Sequence, residues 1–468
     1  MQTFGCQMNV HDSERMDEVL RAHGWVAAAD AASADVIVLN TCSVREKAEN
    51  KLRSEVGRLA PLKRSKPDLV IVVAGCVAQQ EGEALLSRVE YLDLVIGPDN
   101  LIELPALLEA QRQGAPPTTR TVFDTDAPHF LAARPARARA PVSAFVTTMK
   151  GCDERCSFCV VPYTRGPERY RPAAEIVAEC QKWIDAGTRE IVLLGQTVDS
   201  FRDDALPPPE SSDPDESQFP HLLRLIAREV PGVLRLRYTS PHPRHCTPSL
   251  ARAHAELDVL AHHVHMPVQS GSDRMLRRMI RRYKRAEYIE RIGRLRASRS
   301  DMTISTDVIV GFPGETDEDF AETLSLVSEV GFTSLFGFKF SPRPHTPALK
   351  LIDDVPEAVK AERLARLFAL SEHQTQTHLA TLAGSTQAVL VEGRSERSAG
   401  FEGRTIRNEI VHVEGASAFD LAGRVVDVHV TRANRHSVAG ELTPAARAAA
   451  PPAVASAPAA VRSLPVVD

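Results

Sequence analysis

The sequence predicts an α/β protein with three parts: an N-terminal domain on a parallel sheet, a partial (β/α)6 barrel and a small C-terminal β-barrel. Three observations lead to this fold class. Short apolar runs alternate with helical patterns through the first hundred residues, and a second alternation starts near residue 144. From about residue 386 the chain changes to short strand patterns separated by turns that contain Gly.

The first alternation predicts parallel strands with one shared functional edge. The apolar runs VIVLN, LVIVVA and LVI occupy 36–40, 69–74 and 94–96, and each precedes a helical pattern. Strands that are joined through helices form right-handed parallel crossovers. Because such sheets carry their sites at the carboxyl ends of the strands, we expect the residues that follow these runs to lie at one edge.

The second alternation predicts six βα units. Its strand candidates lie near 144–149, 190–194, 234–238, 262–266, 303–310 and 333–340. A closed barrel of this type has eight units, so six predict a barrel that is open on one side. The predicted parts are an N-terminal domain at 1–115, a linker at 116–140, a barrel at 141–376, a small β-barrel at 377–442 and a disordered Ala- and Pro-rich tail at 443–468.

Composition limits the function classes. The 468 residues carry 56 Lys and Arg against 61 Asp and Glu, a net charge of −5, so any RNA site is local rather than spread over the whole surface. No run of about eighteen apolar residues and no basic-then-apolar leader occurs, which predicts a cytoplasmic protein. Eight cysteines in a long chain of a reducing compartment are expected to be metal ligands, reactive thiols or buried side chains.

The strongest chemical signal is a group of three cysteines after a predicted strand, Cys152, Cys156 and Cys159, which we name the loop triad. Thiolates in this CxxxCxxC spacing can bind three irons of a [4Fe–4S] cubane and leave the fourth iron open to a small molecule. A zinc knuckle is the alternative. Zinc takes four ligands in a closed tetrahedron, so a distant His would have to complete that site.

A second group, the sheet triad, consists of Cys6, Cys42 and Cys76. Each directly follows a predicted strand of the N-terminal sheet or the glycine after it. For any one of them a buried side chain is the simpler interpretation, since Cys is among the most buried residue types. Three in equivalent positions favour a second Fe–S cluster, whereas Cys180 and Cys246 match no such set and are expected not to bind metal.

Seven ordered sequence blocks carry a family resemblance. They are TFGCQMN (3–9), LNTCSVREKAENK (39–51), AGCVAQ (74–79), GCDERCSFCVVPYTRG (151–166), HMPVQSGSDRML (265–276), TDVIVGFPGETDEDF (306–320) and FKFSPRPHTPA (338–348). Over residues 1–442 the chain resembles the methylthiotransferase branch of the radical S-adenosylmethionine superfamily, closest to the members that modify (dimethylallyl)adenosine in tRNA. The resemblance implies a methylthiotransferase domain, a radical barrel and a TRAM domain that contacts RNA.

The resemblance also implies a reaction and its cofactors. The loop triad would hold the [4Fe–4S] cluster that cleaves S-adenosylmethionine to a 5′-deoxyadenosyl radical, and the sheet triad would hold an auxiliary [4Fe–4S] cluster that supplies sulfur. The implied reaction is methylthiolation at C2 of N-isopentenyladenosine beside the anticodon. The implied partners are a tRNA substrate, an electron donor such as flavodoxin or ferredoxin, and proteins that supply sulfur and Fe–S clusters.

Other functions stay open at this point. Within the same class, the substrate could instead be threonylcarbamoyladenosine in tRNA or an aspartate of a ribosomal protein. From another class, a non-catalytic RNA-binding Fe–S protein that senses redox state would use the same cysteines. The amino-acid sequence of the blocks TFGCQMN and TCSVREKAENK favours the isopentenyladenosine substrate.

Candidate contacts to S-adenosylmethionine follow the predicted barrel strands. They are Gly195, Gln196, Ser240, Gln269, Ser270, Ser272, Asp307 and Gly311. Glycine would allow a nucleoside to approach the backbone closely, while loop capping explains the polar members equally well. For RNA, the window 274–299 holds 11 Lys or Arg and favours a phosphate-binding patch over a solvated helix face. Phe401 and Arg404 are candidate RNA contacts in the small β-barrel, with a core position as the alternative for Phe401.

The chain departs from the family pattern at several positions. His345 and Arg282 stand where Gly is common, and Thr197 and Asp199 stand where Asn is common. Because only five residues precede Cys6, we expect a truncated first strand that leaves this ligand at a frayed end. None of these departures removes a predicted cluster ligand.

Overall fold

The computed structural model describes residues 1–44, 46–125, 128–133, 140–395, 400–453 and 466–467. In these ranges the chain forms three bodies in the predicted order, and the predicted α/β fold class is confirmed. None of the described helices has the length and apolar character needed to cross a membrane. The predicted domain boundaries stay predictions.

The N-terminal body is a parallel sheet with helices on both faces. Alternate residues of each strand face opposite sides, so Ile71 and Val73 pack with one layer of helices while Val70 and Val72 pack with the other. The strands pair in the order β1-β2-β3-β4-β5. Its elements are β1 (Gln2–Phe4), α1 (Gln7–Ala22), β2 (Val36–Thr41), α2 (Glu46–Ser65), β3 (Val70–Gly75), α3 (Cys76–Arg88), β4 (Leu94–Ile96), a 3-10 turn (Pro98–Glu103), α4 (Leu104–Arg112) and β5 (Thr118–Arg120).

Two features of this body differ from expectation. Strand β5 lies inside the range 116–140 that was predicted to be a linker, because it adds to the sheet beside β4. Strand β1, expected to fray, pairs with β2 on one side and with a two-residue strand, Val466–Val467, on the other. Cys6 therefore follows a strand that is hydrogen-bonded at both edges.

The second body is an open barrel with six main strands, as predicted. It forms two three-stranded parallel sheets, β6-β9-β10 and β11-β12-β13, which meet at a bridge between Leu236 and Leu260. Its elements are β6 (Ser143–Thr147), β7 (Met149–Lys150), α5 (Val161–Arg165), β8 (Arg169–Tyr170), α6 (Ala173–Asp185), β9 (Glu190–Leu194), α7 (Phe219–Glu229), β10 (Arg235–Tyr238), α8 (Pro248–Glu256), β11 (His263–His265), α9 (Asp273–Arg278), α10 (Arg285–Ser298), β12 (Thr303–Val310), α11 (Asp317–Val330), β13 (Ser334–Lys339) and α12 (Glu357–Ala380). Short 3-10 turns lie at Val198–Ser200, Pro243–His245 and Pro347–Lys350.

The third body is a closed barrel with the strand order β14-β15-β16-β18-β17. Its elements are β14 (Thr386–Arg394), β15 (Phe401–Thr405), β16 (Ile410–Glu414), β17 (Val425–Ala433), β18 (Val438–Leu442) and α13 (Pro444–Ala449). The last strand of the chain, β19 (Val466–Val467), belongs to the N-terminal sheet. The turn at 404–407 contacts the amino ends of the open-barrel strands. The backbone N–H of His262 donates to the Ile406 carbonyl at 3.1 Å, and the Thr303 hydroxyl donates to the Arg407 carbonyl at 2.9 Å.

The predicted disordered tail is in part a helix. The hydroxyl of Thr443 accepts a hydrogen bond from the backbone N–H of Ala446 and caps α13. The Ala-rich composition that suggested disorder also favours helix, and the Arg447 guanidinium lies 5.9 Å from the Phe419 ring of the closed barrel. The rest of the predicted tail, at 454–465 and 468, lies outside the described residues.

Backbone geometry explains why the family pattern has Gly at two positions where this chain does not. His345 has φ +66° and Arg282 has φ +51°, both in the left-handed region. A residue with a Cβ atom costs roughly 1–2 kcal/mol there, and glycine does not. The two positions therefore suit the Gly that is common in the family pattern, and His345 and Arg282 each destabilise the local backbone conformation relative to Gly.

Candidate metal and cofactor site

The loop triad lies between β7 and α5. The backbone N–H of Cys152 donates to the Gly166 carbonyl at 3.1 Å and turns the chain back on itself. Gly151 has φ +79°, and a Cβ atom at this position would lie 1.9 Å from the Pro167 carbonyl oxygen. The turn that presents the first cysteine therefore requires glycine directly before it.

The thiols of the loop triad form a donor set that suits iron. Cys152 and Cys156 are buried and Cys159 is half-buried. Burial raises the pKa of Cys152, and burial, followed by the neighbouring Cys156, raises the pKa of Cys159 to about 12. Cysteine binds metal as thiolate. Because these desolvated thiols repel one another as anions, a cationic cluster is the group that would stabilise them together, and the residues fit a [4Fe–4S] cluster.

The sheet triad lies at the carboxyl edge of the N-terminal sheet. Cys6 directly precedes α1, Cys42 directly follows β2, and Cys76 is the first residue of α3. A Cβ atom on Gly5 would lie 2.2 Å from the Cβ atom of Cys42, so glycine is needed for this close approach. The structure brings together three cysteines that belong to three different strand–helix units.

The surroundings of the sheet triad also suit a metal cluster. The hydrogen bond between Cys42 and Cys6 lowers the pKa of Cys6 to about 6 and raises that of Cys42, while burial raises the pKa of Cys76. The amino ends of α1 and α3 add partial positive charge that would stabilise the thiolates of a bound cluster. The hydroxyl oxygens of Thr41 and Ser43 are buried with no hydrogen-bond partner in the described ranges. In those ranges no three His, Cys, Asp or Glu side chains lie close enough together to bind one and the same metal ion. A cubane has a different requirement, since each thiolate binds its own iron.

Helix α5 connects the two triads. It begins two residues after Cys159 and ends at Arg165, whose Nε atom donates to the Cys76 Sγ atom at 3.2 Å. The same guanidinium donates to Asp12 Oδ2 at 2.6 Å. The N-terminal body therefore docks on the end of the open barrel that carries the loop triad. Cys180 and Cys246 lie elsewhere, fully buried in the barrel core.

Four predicted cofactor contacts lie at or beyond the carboxyl ends of barrel strands. Gly195 and Gln196 follow β9, Ser240 follows β10, and Gln269 lies beyond β11. Ser240 and Gln269 have φ values of +59° and +72°, which are unfavourable for residues other than glycine. The side-chain oxygen of Gln196 accepts a hydrogen bond from Gly151, while its Nε2 atom is buried without a partner among the described residues. This unpaired donor suits a polar cofactor.

The other four predicted contacts are explained in part by protein contacts. Ser270 and Ser272 are buried, and Ser272 caps α9. A Cβ atom on Gly311 would lie 2.3 Å from Lys360 Cγ, so packing alone accounts for glycine there. Asp307 is half-buried on β12. For Ser272 the structure favours capping, which was one of the two interpretations of its pattern.

The basic window 274–299 offers less free charge than its composition suggests. It covers most of α9, all of α10 and the loop between them. Arg274 and Arg285 pair with carboxylates of α11, and several other members donate to backbone carbonyls. Exposed basic side chains remain at Arg277, Arg282 and Lys284. An RNA-binding role for this window stays a prediction.

The two candidate RNA contacts in the closed barrel both make contacts within the protein. Phe401 is 1% exposed and packs in the barrel core, so the structure supports the core interpretation of this residue over an RNA contact. Its inward position follows from the alternation of buried residues along β15. The Nε atom of Arg404 lies 3.1 Å from a carboxylate oxygen of Glu392, and its backbone carbonyl accepts a hydrogen bond from Arg235 of the open barrel.

Two exposed aromatic rings were missed by the sequence analysis. Phe336 and Phe338 alternate on β13 and are 50% and 38% exposed. Gly337 between them packs against α12, since a Cβ atom there would lie 2.8 Å from Leu364 Cδ1. The two phenylalanines therefore face the interior of the open barrel, where the Phe336 ring lies 5.9 Å from the His265 ring. The alternation in the segment LFGFK is the sequence signal that could have revealed them.

A buried carboxyl group follows β9. Asp199 is 1% exposed, its Oδ1 atom accepts a hydrogen bond from the His242 backbone N–H at 2.8 Å, and its Oδ2 atom has no partner in the described ranges. Burial raises the pKa of Asp199 to about 7, although nearby His245 acts in the opposite direction. Asn, which the family pattern has at this position, would avoid the buried charge.

We expect Asp199→Asn to stabilise the protein at about pH 8 and to have little effect near pH 4. The carboxyl group ionises near pH 4 in the unfolded chain but near pH 7 in the folded one, so wild-type stability falls as pH rises through this interval. The amide stays neutral, and the difference of about three pKa units limits the gain to about 4 kcal/mol. Thermal midpoints across this pH range measure the effect, and parallel wild-type and variant curves would contradict it.

Three parts of the chain match described families. Residues 1–97 match a family described as Uncharacterized protein family UPF0004, residues 146–327 match the Radical SAM superfamily, and residues 380–443 match the TRAM domain. The three ranges fall on the three bodies of the structure in order. The middle range contains the loop triad and most of the open barrel.

Similar proteins span almost the whole chain. A tRNA-2-methylthio-N(6)-dimethylallyladenosine synthase of Sorangium cellulosum is 64% identical over 466 residues, which cover 96% of this chain and 94% of that protein. A protein of the same name from Acidithiobacillus ferrooxidans is 46% identical and covers 94% and 96%. Among solved structures, the radical S-adenosylmethionine methyltransferase TsrM of Kitasatospora setae matches with a TM-score of 0.52 at 14% identity, over 74% of each chain. That likeness supports the fold alone.

Proposed function

Since the chain belongs to the family of tRNA-2-methylthio-N(6)-dimethylallyladenosine synthases, transferases of the radical S-adenosylmethionine superfamily, we propose that it attaches a methylthio group to C2 of N-isopentenyladenosine beside the tRNA anticodon. Membership of this family implies a tRNA substrate, S-adenosylmethionine and a [4Fe–4S] cluster. The finer proposal is that the protein holds two clusters, one on the loop triad and one on the sheet triad.

One observation carries this proposal: two separate sets of three cysteines are joined by the short helix α5. A loop triad alone would account for cleavage of S-adenosylmethionine, but it would leave the inserted sulfur without a source. The sheet triad offers a second set of thiols on the domain that docks at the same end of the barrel. Both sets have three cysteines, so each would leave one iron of a cubane without a protein ligand.

The target bond explains why such a site is needed. The C2–H bond of adenine is neither acidic nor polar, so general acid–base catalysis cannot activate it. When bound, the loop-triad cluster and S-adenosylmethionine supply a 5′-deoxyadenosyl radical that can remove this hydrogen atom. The chain binds and orients the reactants. Of the eight residues predicted from the sequence as cofactor contacts, we propose Gln196 first because its buried amide nitrogen is unpaired among the described residues. Ser272 and Gly311 have the least support, since capping and packing already account for them.

The interior of the open barrel supports the isopentenyl substrate over its alternatives. Phe336 and Phe338 present apolar surface that suits a branched hydrocarbon group. A threonylcarbamoyl group and an aspartate side chain both carry a carboxylate, whereas the strand beside Phe336 carries the carboxylate of Asp307, 3.4 Å from the His265 Nε2 atom. Like charges in a partly buried site repel. The residues on this wall therefore favour a neutral, apolar modification on the adenine.

We expect Phe336→Ala and Phe338→Ala each to raise the KM for isopentenylated tRNA by roughly tenfold, because each would lose apolar contact with the isopentenyl group worth about 0.8 kcal/mol per buried CH2. The KM for S-adenosylmethionine should change much less. Initial rates of nucleoside formation, followed by mass spectrometry, measure both constants. Ile352→Ala, at an exposed surface position, is the control, and an unchanged KM for tRNA in both phenylalanine variants would argue against this wall as the substrate site.

The partners and the location of the protein follow from the same chemistry. Reduction of a cluster requires an electron donor, for which flavodoxin or ferredoxin is suitable. Loss of sulfur in each turnover requires proteins that supply sulfur or rebuild the cluster. Because its substrate is tRNA, we place the protein in the cytoplasm.

Nucleoside analysis tests the function directly. In a strain that lacks the gene, tRNA should contain isopentenyladenosine without its 2-methylthio group, and the wild-type gene should restore the modification. Restoration of methylthiolated threonylcarbamoyladenosine instead would support the alternative substrate. For the redox-sensor alternative, anaerobically reconstituted protein is assayed for 5′-deoxyadenosine: an enzyme releases it in step with dithionite reduction, and a sensor releases none.

A further inference from the structure

Each triad receives a hydrogen bond from one buried arginine. Arg165 Nε donates to Cys76 Sγ at 3.2 Å in the sheet triad. Arg281 Nη1 donates to Cys156 Sγ at 3.2 Å in the loop triad. The two arginines are 4% and 5% exposed. A guanidinium keeps its charge at any pH at which the protein is folded, so both thiol sets lie beside a permanent buried cation.

Arg281 forms no ion pair with a carboxylate in the described part of the chain. Its Nε atom donates to the Tyr283 hydroxyl at 2.9 Å and its Nη2 atom donates to the Pro267 carbonyl at 2.8 Å. Its guanidinium also lies 5.2 Å from the Tyr283 ring centroid. These partners are neutral, and a buried charge is costly unless an opposite charge accompanies it. The thiolate of Cys156 is the anion that this position can provide.

Arg165 differs because it joins two domains. It belongs to α5 of the open barrel, whereas Cys76 and its carboxylate partner Asp12 belong to the N-terminal body. Asp12 pairs with this guanidinium and also lies near Cys76, so removal of Arg165 would take away an N–H donor to the thiol and leave an unbalanced carboxylate beside the sheet triad. The hydrogen bond to the sheet triad therefore exists only when the two domains are docked.

We propose that Arg165 and Arg281 are positioning residues that tune the two clusters separately, each raising the reduction potential of the cluster whose thiolate it contacts. This inference rests on the proposed two-cluster function. The potential of an Fe–S cluster depends on hydrogen bonds to its sulfurs and on nearby charge. Reduction adds negative charge, so a buried cation beside a ligand sulfur stabilises the reduced form. Arg165 would do this for the auxiliary cluster and Arg281 for the radical-generating one.

The test measures potentials rather than turnover. Each cluster is isolated in the full-length chain by changing the other three cysteines to Ala, and its midpoint potential is determined by a redox titration followed by electron paramagnetic resonance. Arg165→Met should lower the potential of the auxiliary cluster and Arg281→Met that of the radical-generating cluster. Arg171→Met, at a buried arginine that pairs with Glu179 and touches no triad, should leave both potentials unchanged.

Iron content and second variants keep the result interpretable. Arg165→Gln and Arg281→Gln retain an N–H donor without the charge and should give shifts of the same sign. Wild-type potentials in variants that hold about four irons would overturn the inference, as would equal shifts of both clusters by either variant. Loss of iron from both the Met and Gln variants would also overturn it, because the arginine would then serve assembly. Failure of the underlying function is distinguished by wild-type protein that holds only about four irons in total or releases no 5′-deoxyadenosine.

Discussion

Cys156→Ala is expected to abolish the release of 5′-deoxyadenosine. Removal of one thiolate from the loop triad leaves two protein ligands for a cubane that needs three, and it leaves the buried Arg281 cation without its anionic partner. The protein should then contain about four irons per chain, held by the sheet triad, instead of about eight. Anaerobic incubation with dithionite and S-adenosylmethionine, followed by chromatography of the nucleosides, measures the loss.

Cys180→Ala is the matched control for this change. Cys180 is also a fully buried cysteine of the barrel body, but it packs among apolar side chains away from either triad. The control should retain its iron and release 5′-deoxyadenosine at a rate close to that of the wild type. Full activity of Cys156→Ala, or equal loss in both variants, would contradict the role given to the loop triad.

Cys76→Ala is expected to separate cleavage from sulfur insertion. This variant keeps the loop triad and should still release 5′-deoxyadenosine, but the sheet triad is left with two thiols. Formation of the 2-methylthio nucleoside should fall to background because the proposed sulfur source is lost. Both products are measured in the same reaction with isopentenylated tRNA, so the ratio between them reports the separation directly.

The comparison of Cys76→Ala with Cys156→Ala tests the division of labour between the triads. Equal loss of 5′-deoxyadenosine in the two variants would mean that the sheet triad is needed for cleavage itself. Retained methylthiolation in Cys76→Ala would place the sulfur source elsewhere. A second sheet-triad variant, Cys42→Ala, should behave like Cys76→Ala if the three thiols act as one site.

Residues that follow apolar strands were predictable because strand ends are local features. The runs before Cys42 and Cys76 predicted buried parallel strands, and their shared edge follows from the geometry of parallel sheets. The six strands of the open barrel were predicted for the same reason. The strand β5 was missed because three residues, Thr118–Arg120, carry too little periodicity to stand out from a Pro- and Thr-rich segment.

Contacts between distant segments were not predictable in this way. Arg165 lies in the family block at 151–166, yet its contact with Cys76 depends on how two domains dock. Arg281 was counted as one charge of a basic window, whereas the fold buries it against the loop triad. Composition records how many charges a window has but not which of them the fold uses. The same limit applies to Phe401, whose burial depends on the closed barrel around it.

The turn at 404–407 bears on how other molecules can reach the interior of the open barrel. It contacts His262 and Thr303 at the amino end of the open barrel, so the C-terminal domain covers part of that end. In the described part of the chain, the other end of the open barrel carries the loop triad beside the docked N-terminal body, and β6 and β13 are its edge strands. For the proposed tRNA substrate, the base would therefore reach the barrel interior from one of these sides and not past the turn at 404–407.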